Sequence, residues 1–323
     1  MKKIDVTIGI DIGGTNTAFG ILDRKGKFYG EGNISTNKHK DIKDYVIELC
    51  STIKDTVLNI NEEVNLIGIG IGAPNANFHS GCIEQAANLR WKGIIPLCEL
   101  VKVHFPETKV LMTNDANAAA LGEMVYGGAK NIKDFIMITL GTGVGSGFVS
   151  KGNLIYGHDG FAGEIGHIIV IPEGRECGCG RRGCLETYAS ATGVVRSAYE
   201  MMSIYNHPSE LRAIPNNKLN SKIIYEAALK GDKIALLTFD YTAKILGIAL
   251  ANAVAITSPK AIFLMGGLAK SGDFLIKPTK KYMEEHILYL YKNKVKILPS
   301  QLTKNVAILG AASLIWNDIQ NNY

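Results

Sequence analysis

Alternation of apolar and polar positions marks the start of the chain as β-structure. Residues 4–10 (IDVTIGI) carry the two-residue period of a strand, and 18–22 (AFGIL) with 27–31 (KFYGE) read as its antiparallel neighbours. The period then changes. Ile42, Val46, Leu49, Ile53 and Val57 recur at three- and four-residue steps and predict an amphipathic helix over 41–58. Residues 66–72 (LIGIGIG) predict a buried strand stopped by Pro74, and 109–113 (KVLMT) a strand that runs straight into an alanine-rich helix. Residues 134–141 (DFIMITLG) and 146–149 predict two more, followed by a hairpin at Lys151–Gly152. Beyond residue 190 the chain turns helical over 190–202, 223–230 and 236–256, the last mostly apolar and therefore central. Residues 260–265 (KAIFLM) predict a strand, and helices over 277–288, with Pro278 in the first turn, and 307–320 close the chain. The segment 203–221, with Pro208, Pro215 and several Asn, is the least patterned. Strands alternating with helices place the chain in the α/β class.

Composition narrows the function classes. The 323 residues are long for one domain and favour two. A net charge of +5 with no Lys/Arg block argues against a nucleic-acid or membrane surface. The N-terminal run opens with two lysines, but Asp5 and Asp11 interrupt its apolar stretch, so no secretion signal is expected. No window holds ~18 consecutive apolar residues, so no membrane span is expected either. Of six cysteines, Cys50, Cys82 and Cys98 are scattered and the other three are clustered, a usage that suits a reducing cytoplasm.

That cluster carries the strongest chemistry. In the stretch Gly157–Glu186, Cys177, Cys179 and Cys184 are spaced C-x-C-x4-C, and His167 lies ten positions ahead of the first. Three thiols and an imidazole complete a tetrahedral shell for structural Zn²⁺. Gly178, Gly180 and Gly183 are expected to supply positive-φ turns between such close ligands. The plainer alternative is a surface loop with three incidental thiols. Glu164 and Glu186 flank the loop, where it could hold carboxylates toward a polar ligand.

Glycine turns follow three of the strands. Gly13, Gly14, Thr15 and Asn16 form a turn whose N–H and hydroxyl groups suit phosphate oxygens, with Asp11 at the strand end placed to hold a hydrated Mg²⁺. Taken alone, such a turn is more often only a turn. Gly141, Thr142 and Gly143 repeat the plan, and Gly266–Gly267 form a third glycine turn. One phosphate hairpin per half predicts two related α/β domains facing each other across a cleft. Asn114 and Asp115 stand between a strand and a helix, where α/β proteins place chemistry, although either could be simply the helix N-cap.

DIGGTN at 11–16, NDANAAALGE at 114–123, LGTGVGSG at 140–147, GFAGEIGH at 160–167, CGCGRRGCLE at 177–186 and MGGLA at 265–269 together resemble the ROK family of sugar kinases and repressors. The resemblance covers nearly the whole chain. It implies two actin-like (ribonuclease H-like) domains about a central cleft with an inserted zinc loop: residues 1–115 plus about 305–323, and residues 116–304 carrying the loop at 157–186. It further implies ATP, Mg²⁺ and structural Zn²⁺ as cofactors, a hexose and a nucleotide as small-molecule partners, and Asp115 as general base toward the sugar hydroxyl. Asn114, Glu164, His167 and Glu186 would hydrogen-bond the sugar, with His167 using one ring nitrogen on zinc and the other on the sugar. Gly14, Thr15, Gly141, Thr142 and Gly143 would cradle phosphates, and Gly266 and Gly267 would lie against the nucleoside. A homodimer is the expected assembly. One departure is Asn75 after Pro74, where many members carry glycine; it is expected to reshape that loop.

Three activities stay open on sequence: an ATP-dependent glucokinase, a kinase for another hexose such as N-acetylmannosamine, and a sugar-sensing regulator. The first glycine hairpin begins at residue 11, which argues against a DNA-binding domain ahead of it. Glucose is favoured over N-acetyl sugars, because an N-acetyl group at C2 would leave Glu186 without a hydroxyl partner, at ~1–3 kcal/mol. Mannose and glucosamine are expected to be slower substrates.

Overall fold

The computed structural model describes residues 3–86 and 88–321; Met1, Lys2, Asn322 and Tyr323, which fall at the ends of the expected domain limits, lie outside the described residues. In chain order the elements begin with strands β1 (Ile4–Ile12), β2 (Asn16–Asp23) and β3 (Phe28–Ser35), helix α1 (Ile42–Leu58) and strand β4 (Val64–Gly72). Short strands β5 (Ala76–Asn77), β6 (Cys82–Glu84) and β7 (Ile94–Ile95) lead to α2 (Leu97–Lys102), β8 (Val110–Thr113) and α3 (Asp115–Val125). Then come β9 (Phe135–Leu140), β10 (Val144–Ser150), β11 (Asn153–Leu154), α4 (Glu186–Ala189), α5 (Ala191–Ile204), α6 (Ser221–Leu229) and α7 (Lys233–Thr257). The chain closes with β12 (Ala261–Met265), α8 (Asp273–His286), β13 (Lys296–Pro299) and α9 (Val306–Asn321).

Packing divides the chain into two compact units: residues 1–133, 154–162 and 301–323, and residues 134–153 with 163–300. In the first, a five-stranded sheet has the order β3-β2-β1-β4-β8. β1, β2 and β3 form an antiparallel meander, while β4 runs parallel to β1 and β8 parallel to β4. The LIGIGIG pattern explains how helices cover it. Side chains alternate across a strand, so Ile8, Ile10, Ile69 and Ile71 enter one core together with Tyr45, Leu49 and Ile53 of α1. Gly9 and Gly70 point to the other face, where the backbone of α9 lies so close that a Cβ at either position would overlap the Ile308 or Ala311 carbonyl. α3 packs onto α9 and goes with this unit, which runs on to residue 133.

The second unit repeats the plan with a five-stranded sheet of order β11-β10-β9-β12-β13. β9 and β10 are an antiparallel hairpin, and β12 and β13 add in parallel. α7 is its central helix, packed against α5 and α8. α7 is long and apolar enough to cross a membrane by composition, but most of its apolar surface is buried in this unit's core. Asp232 caps its start, accepting from Ala235 N–H, and Ser258 in the left-handed region ends it.

Two expectations are corrected. α8 starts at Asp273, so Pro278 lies in the helix interior rather than its first turn. The start is hidden because Gly272, with φ 58°, supplies no side-chain cap. The stretch after Pro74 folds into a small antiparallel sheet of β5, β6 and β7, whose strands of two or three residues are too short to show a period.

Candidate active site

The zinc-type cluster lies within the second unit. His167 ends a single 3₁₀ turn (Ile165–His167), with Glu164 exposed just ahead of it. His167 Nδ1 lies 3.6 Å from Cys177 Sγ, and Cys179 Sγ lies 3.6 Å from Cys184 Sγ. The four ligand atoms all fall within 4.8 Å of one another. A tetrahedral Zn²⁺ with Zn–S near 2.3 Å and Zn–N near 2.0–2.1 Å needs ligand edges of about 3.5–3.8 Å, so the donor set fits that ion. Gly180 (φ 84°) and Gly183 (φ 79°) supply the left-handed turns, while Gly178 does not. The Arg181 backbone, followed by its side chain, holds the Cys179 thiol down to about 6, and burial pushes Cys184 up to about 12. With Nδ1 facing the sulfurs, Nε2 is the ring nitrogen left for a second partner.

A buried guanidinium anchors this loop. Arg175 Nη1 donates to the carbonyls of Thr187 (2.6 Å) and Gly193 (3.1 Å), Nη2 to Ser197 Oγ (3.0 Å) and Nε to Glu200 Oε1 (2.8 Å). Its plane also lies over the Tyr188 ring, 4.4 Å from the centroid. Arg175 carries no sequence signal, because its partners lie 12 to 25 residues away.

Glu186 opens α4, and the structure gives it a partner absent from the sequence reading. Its Oε2 accepts the Val144 N–H at 3.0 Å, and its Oε1 faces Cys177 Sγ at 3.8 Å. A Cβ at Gly143 would overlap Glu186 Oε2. Gly143 is thus glycine to admit that carboxylate, a reason separate from cradling phosphate. Gly141 and Thr142 form the exposed tip of the β9–β10 turn, with Gly141 N–H donating to the Gly143 carbonyl at 3.0 Å. Gly266, at φ 107°, packs so tightly on Leu140 that a Cβ would overlap its carbonyl. Gly267 borders a cavity of about 480 Å³ lined by Tyr225, Phe239, Leu268 and Lys270.

The first unit holds the other predicted residues. Gly13–Thr15 turn β1 into β2, with Gly13 N–H donating to Asn16 O (3.0 Å) and Thr36 N–H to Thr15 O (2.9 Å). A Cβ at Gly14 would press on the Asn88 carbonyl at 2.7 Å, a neighbour the sequence did not reveal. Burial, and then the negative charge of Asp115, push the Asp11 carboxyl up to about 6. Asp11 sits near the carboxyl end of β1, where a carboxylate suits a hydrated divalent cation. Asn114 is the N-cap of α3: its Oδ1 accepts Asn117 N–H at 2.7 Å. Asp115 is therefore not the cap, and its Oδ1 accepts the N–H of Ala116 at 2.8 Å. Asn75 takes φ 50°, a left-handed conformation that glycine adopts freely and Asn tolerates, and its Nδ2 donates to the Glu84 carbonyl at 3.0 Å.

The ROK family pattern matches residues 7–318, and the chain belongs to the ROK family. A glucokinase of Halalkalibacterium halodurans is 37% identical over 316 residues, covering 95% of this chain and 94% of its own. A glucokinase of Thermotoga maritima is 32% identical over 319 residues, 98% of each chain. Among solved structures, a ROK family glucokinase from Streptomyces griseus in complex with glucose and AMPPNP is similar, with 32% identity, a TM-score of 0.74 and coverage of 96% of this chain and 98% of its own.

Proposed function

We propose that this chain is an ATP-dependent hexose kinase that phosphorylates the 6-hydroxyl of glucose. The observation that carries the reading is one coincidence: a chain similar along nearly its whole length to glucokinases also carries Asp115 at the start of α3, two glycine hairpins and a Cys3His cluster of metal-ligand geometry. We take the two compact units as the two actin-like domains.

Asp115, at the first residue of α3, accepts the proton of the sugar 6-hydroxyl as O6 bonds to the γ-phosphorus and the bond to the departing ADP oxygen breaks. Asn114 has Oδ1 committed to the cap, so Nδ2 is what it offers a sugar hydroxyl. Nε2–H of His167 donates to the sugar, and the carboxylates of Glu164 and Glu186 accept from it. The turns Gly13–Asn16 and Gly141–Gly143 hold phosphate oxygens, and the cavity beside Gly267 takes the nucleoside. Asp11 would hold a hydrated Mg²⁺, which supplies charge neutralisation of the phosphates. His167, Cys177, Cys179 and Cys184 would hold Zn²⁺, which fixes the His167 tautomer.

A coupled kinase assay over a panel of hexoses and phosphate donors tests this. Glucose with ATP should have the highest kcat/KM, with mannose and glucosamine slower. An N-acetyl sugar in first place overturns the sugar assignment, a better polyphosphate donor overturns the nucleotide, and no turnover with any pair overturns the kinase.

A further inference from the structure

We propose that Thr192 is a positioning residue for phosphoryl transfer, holding the Gly141–Gly143 turn in the shape that receives the nucleotide phosphates. The inference rests on the kinase reading and deepens it. The turn is exposed at Gly141 and Thr142, and a Cβ at Gly141 would meet nothing within 4 Å. A bare glycine turn of this kind samples many conformations, and ordering it on binding costs affinity.

Three hydrogen bonds from one segment, residues 186–192, remove that freedom. Ala191 N–H donates to the Gly141 carbonyl at 2.8 Å, and Thr192 Oγ1 donates to the Thr142 carbonyl at 3.1 Å. On the far side of the turn, Val144 N–H donates to Glu186 Oε2 at 3.0 Å. The direction of these bonds matters. In a planar trans peptide the C=O and N–H point opposite ways. With the Gly141 and Thr142 carbonyls both drawn toward the start of α5, the Thr142 and Gly143 N–H groups are turned away from it, as an oxyanion-binding pair requires.

The proton inventory makes Thr192 specific. Ser190 Oγ caps α5 by accepting Gly193 N–H at 3.0 Å, and lies 2.9 Å from Thr192 Oγ1. Ser190 therefore gives its proton to Thr192, whose own proton goes to the Thr142 carbonyl. The base of the segment is rigid, since Arg175 grips the carbonyls of Thr187 and Gly193 on either side of it. Thr192 itself is exposed, so replacing it leaves the core untouched.

The test is steady-state kinetics together with AMPPNP titration on wild type, Thr192→Val, Thr192→Ala and Thr192→Ser. Val and Ala should raise the KM for ATP and the Kd for AMPPNP about 3- to 10-fold, the span of one lost hydrogen bond, with the KM for glucose within about 2-fold. Ser keeps the hydroxyl and should stay within about 2-fold of wild type on every constant. Unchanged nucleotide constants in both Val and Ala overturn the proposal. So does an equal rise for ATP and glucose, or a Ser variant as weak as Val. If wild type turns over no hexose with any donor, the kinase reading fails instead, and the AMPPNP titration still decides whether Thr192 sets the turn.

Discussion

Asp115 and Asp11 show how far one side chain's surroundings decide its job. Because Asn114 is the cap of α3, Asp115→Asn leaves the helix start intact and isolates the lost proton acceptor. We expect kcat to fall roughly 10²–10⁴-fold with the KM for glucose little changed; near-normal turnover removes Asp115 as base. Asp11 makes a pH prediction. Its carboxyl titrates near 6 in the fold against an ordinary 3.8, so the folded protein keeps this proton to higher pH than the unfolded chain does. Between about pH 4 and 6 the folded state binds the extra proton, and stability from this group falls as pH rises through that window. Asp11→Asn should therefore gain stability relative to wild type from pH 4 to 6 and then level off. Urea unfolding of both proteins across pH 4–7 is the check, and a flat difference refutes the raised pKa.

At the scale of elements, the Cys3His loop has two separate holds, the proposed Zn²⁺ ligands and Arg175. Purified protein should carry about one Zn²⁺ per chain, and Cys179→Ser should release it and weaken glucose binding through His167 and Glu186. Metal analysis of freshly prepared, unchelated protein decides this. Arg175→Met leaves every ligand in place but strands the Thr187 and Gly193 carbonyls. We expect the metal to stay while unfolding stability drops about 2–4 kcal/mol; loss of metal in Arg175→Met would join the two anchors into one. α1 was legible from sequence because its burial repeats along one face at a 3.6 period, and α7 because a long, mostly apolar run marks a central buried helix. β5–β7 and the start of α8 were not, since very short strands and an uncapped helix start leave no periodic trace.

At the scale of the whole molecule, α9 ties the end of the chain to its beginning. Gly70 has no room for a methyl group against the Ala311 carbonyl, so Gly70→Ala must push α9 off the sheet. A loss of about 1–3 kcal/mol is expected, read as a lower unfolding midpoint in urea, and an unchanged midpoint would show that α9 shifts without cost. Ligand binding gives a second readout at this scale. Glucose at about 100 times its Kd should add about 2.7 kcal/mol of stability without any nucleotide present. N-acetylglucosamine at the same concentration should add clearly less, and an equal gain counts against the sugar assignment.

Residue spacing by itself determined the α/β class, the candidate ligand set of the Cys3His cluster and the two glycine hairpins, because each is written in local periodicity or short spacing. Family likeness added the kinase and the proposal of Asp115 as its base. What only the tertiary structure decided depends on residues far apart in the chain. Gly143 is glycine because Glu186 approaches it from 43 positions away, and Asn75 keeps a left-handed turn whose tie is to Glu84. Arg175 and Thr192 sit in no motif, since what they hold is a set of carbonyls. A carbonyl is present at every residue and leaves no mark on the sequence, so hydrogen bonds made to backbone appear only once the chain is folded.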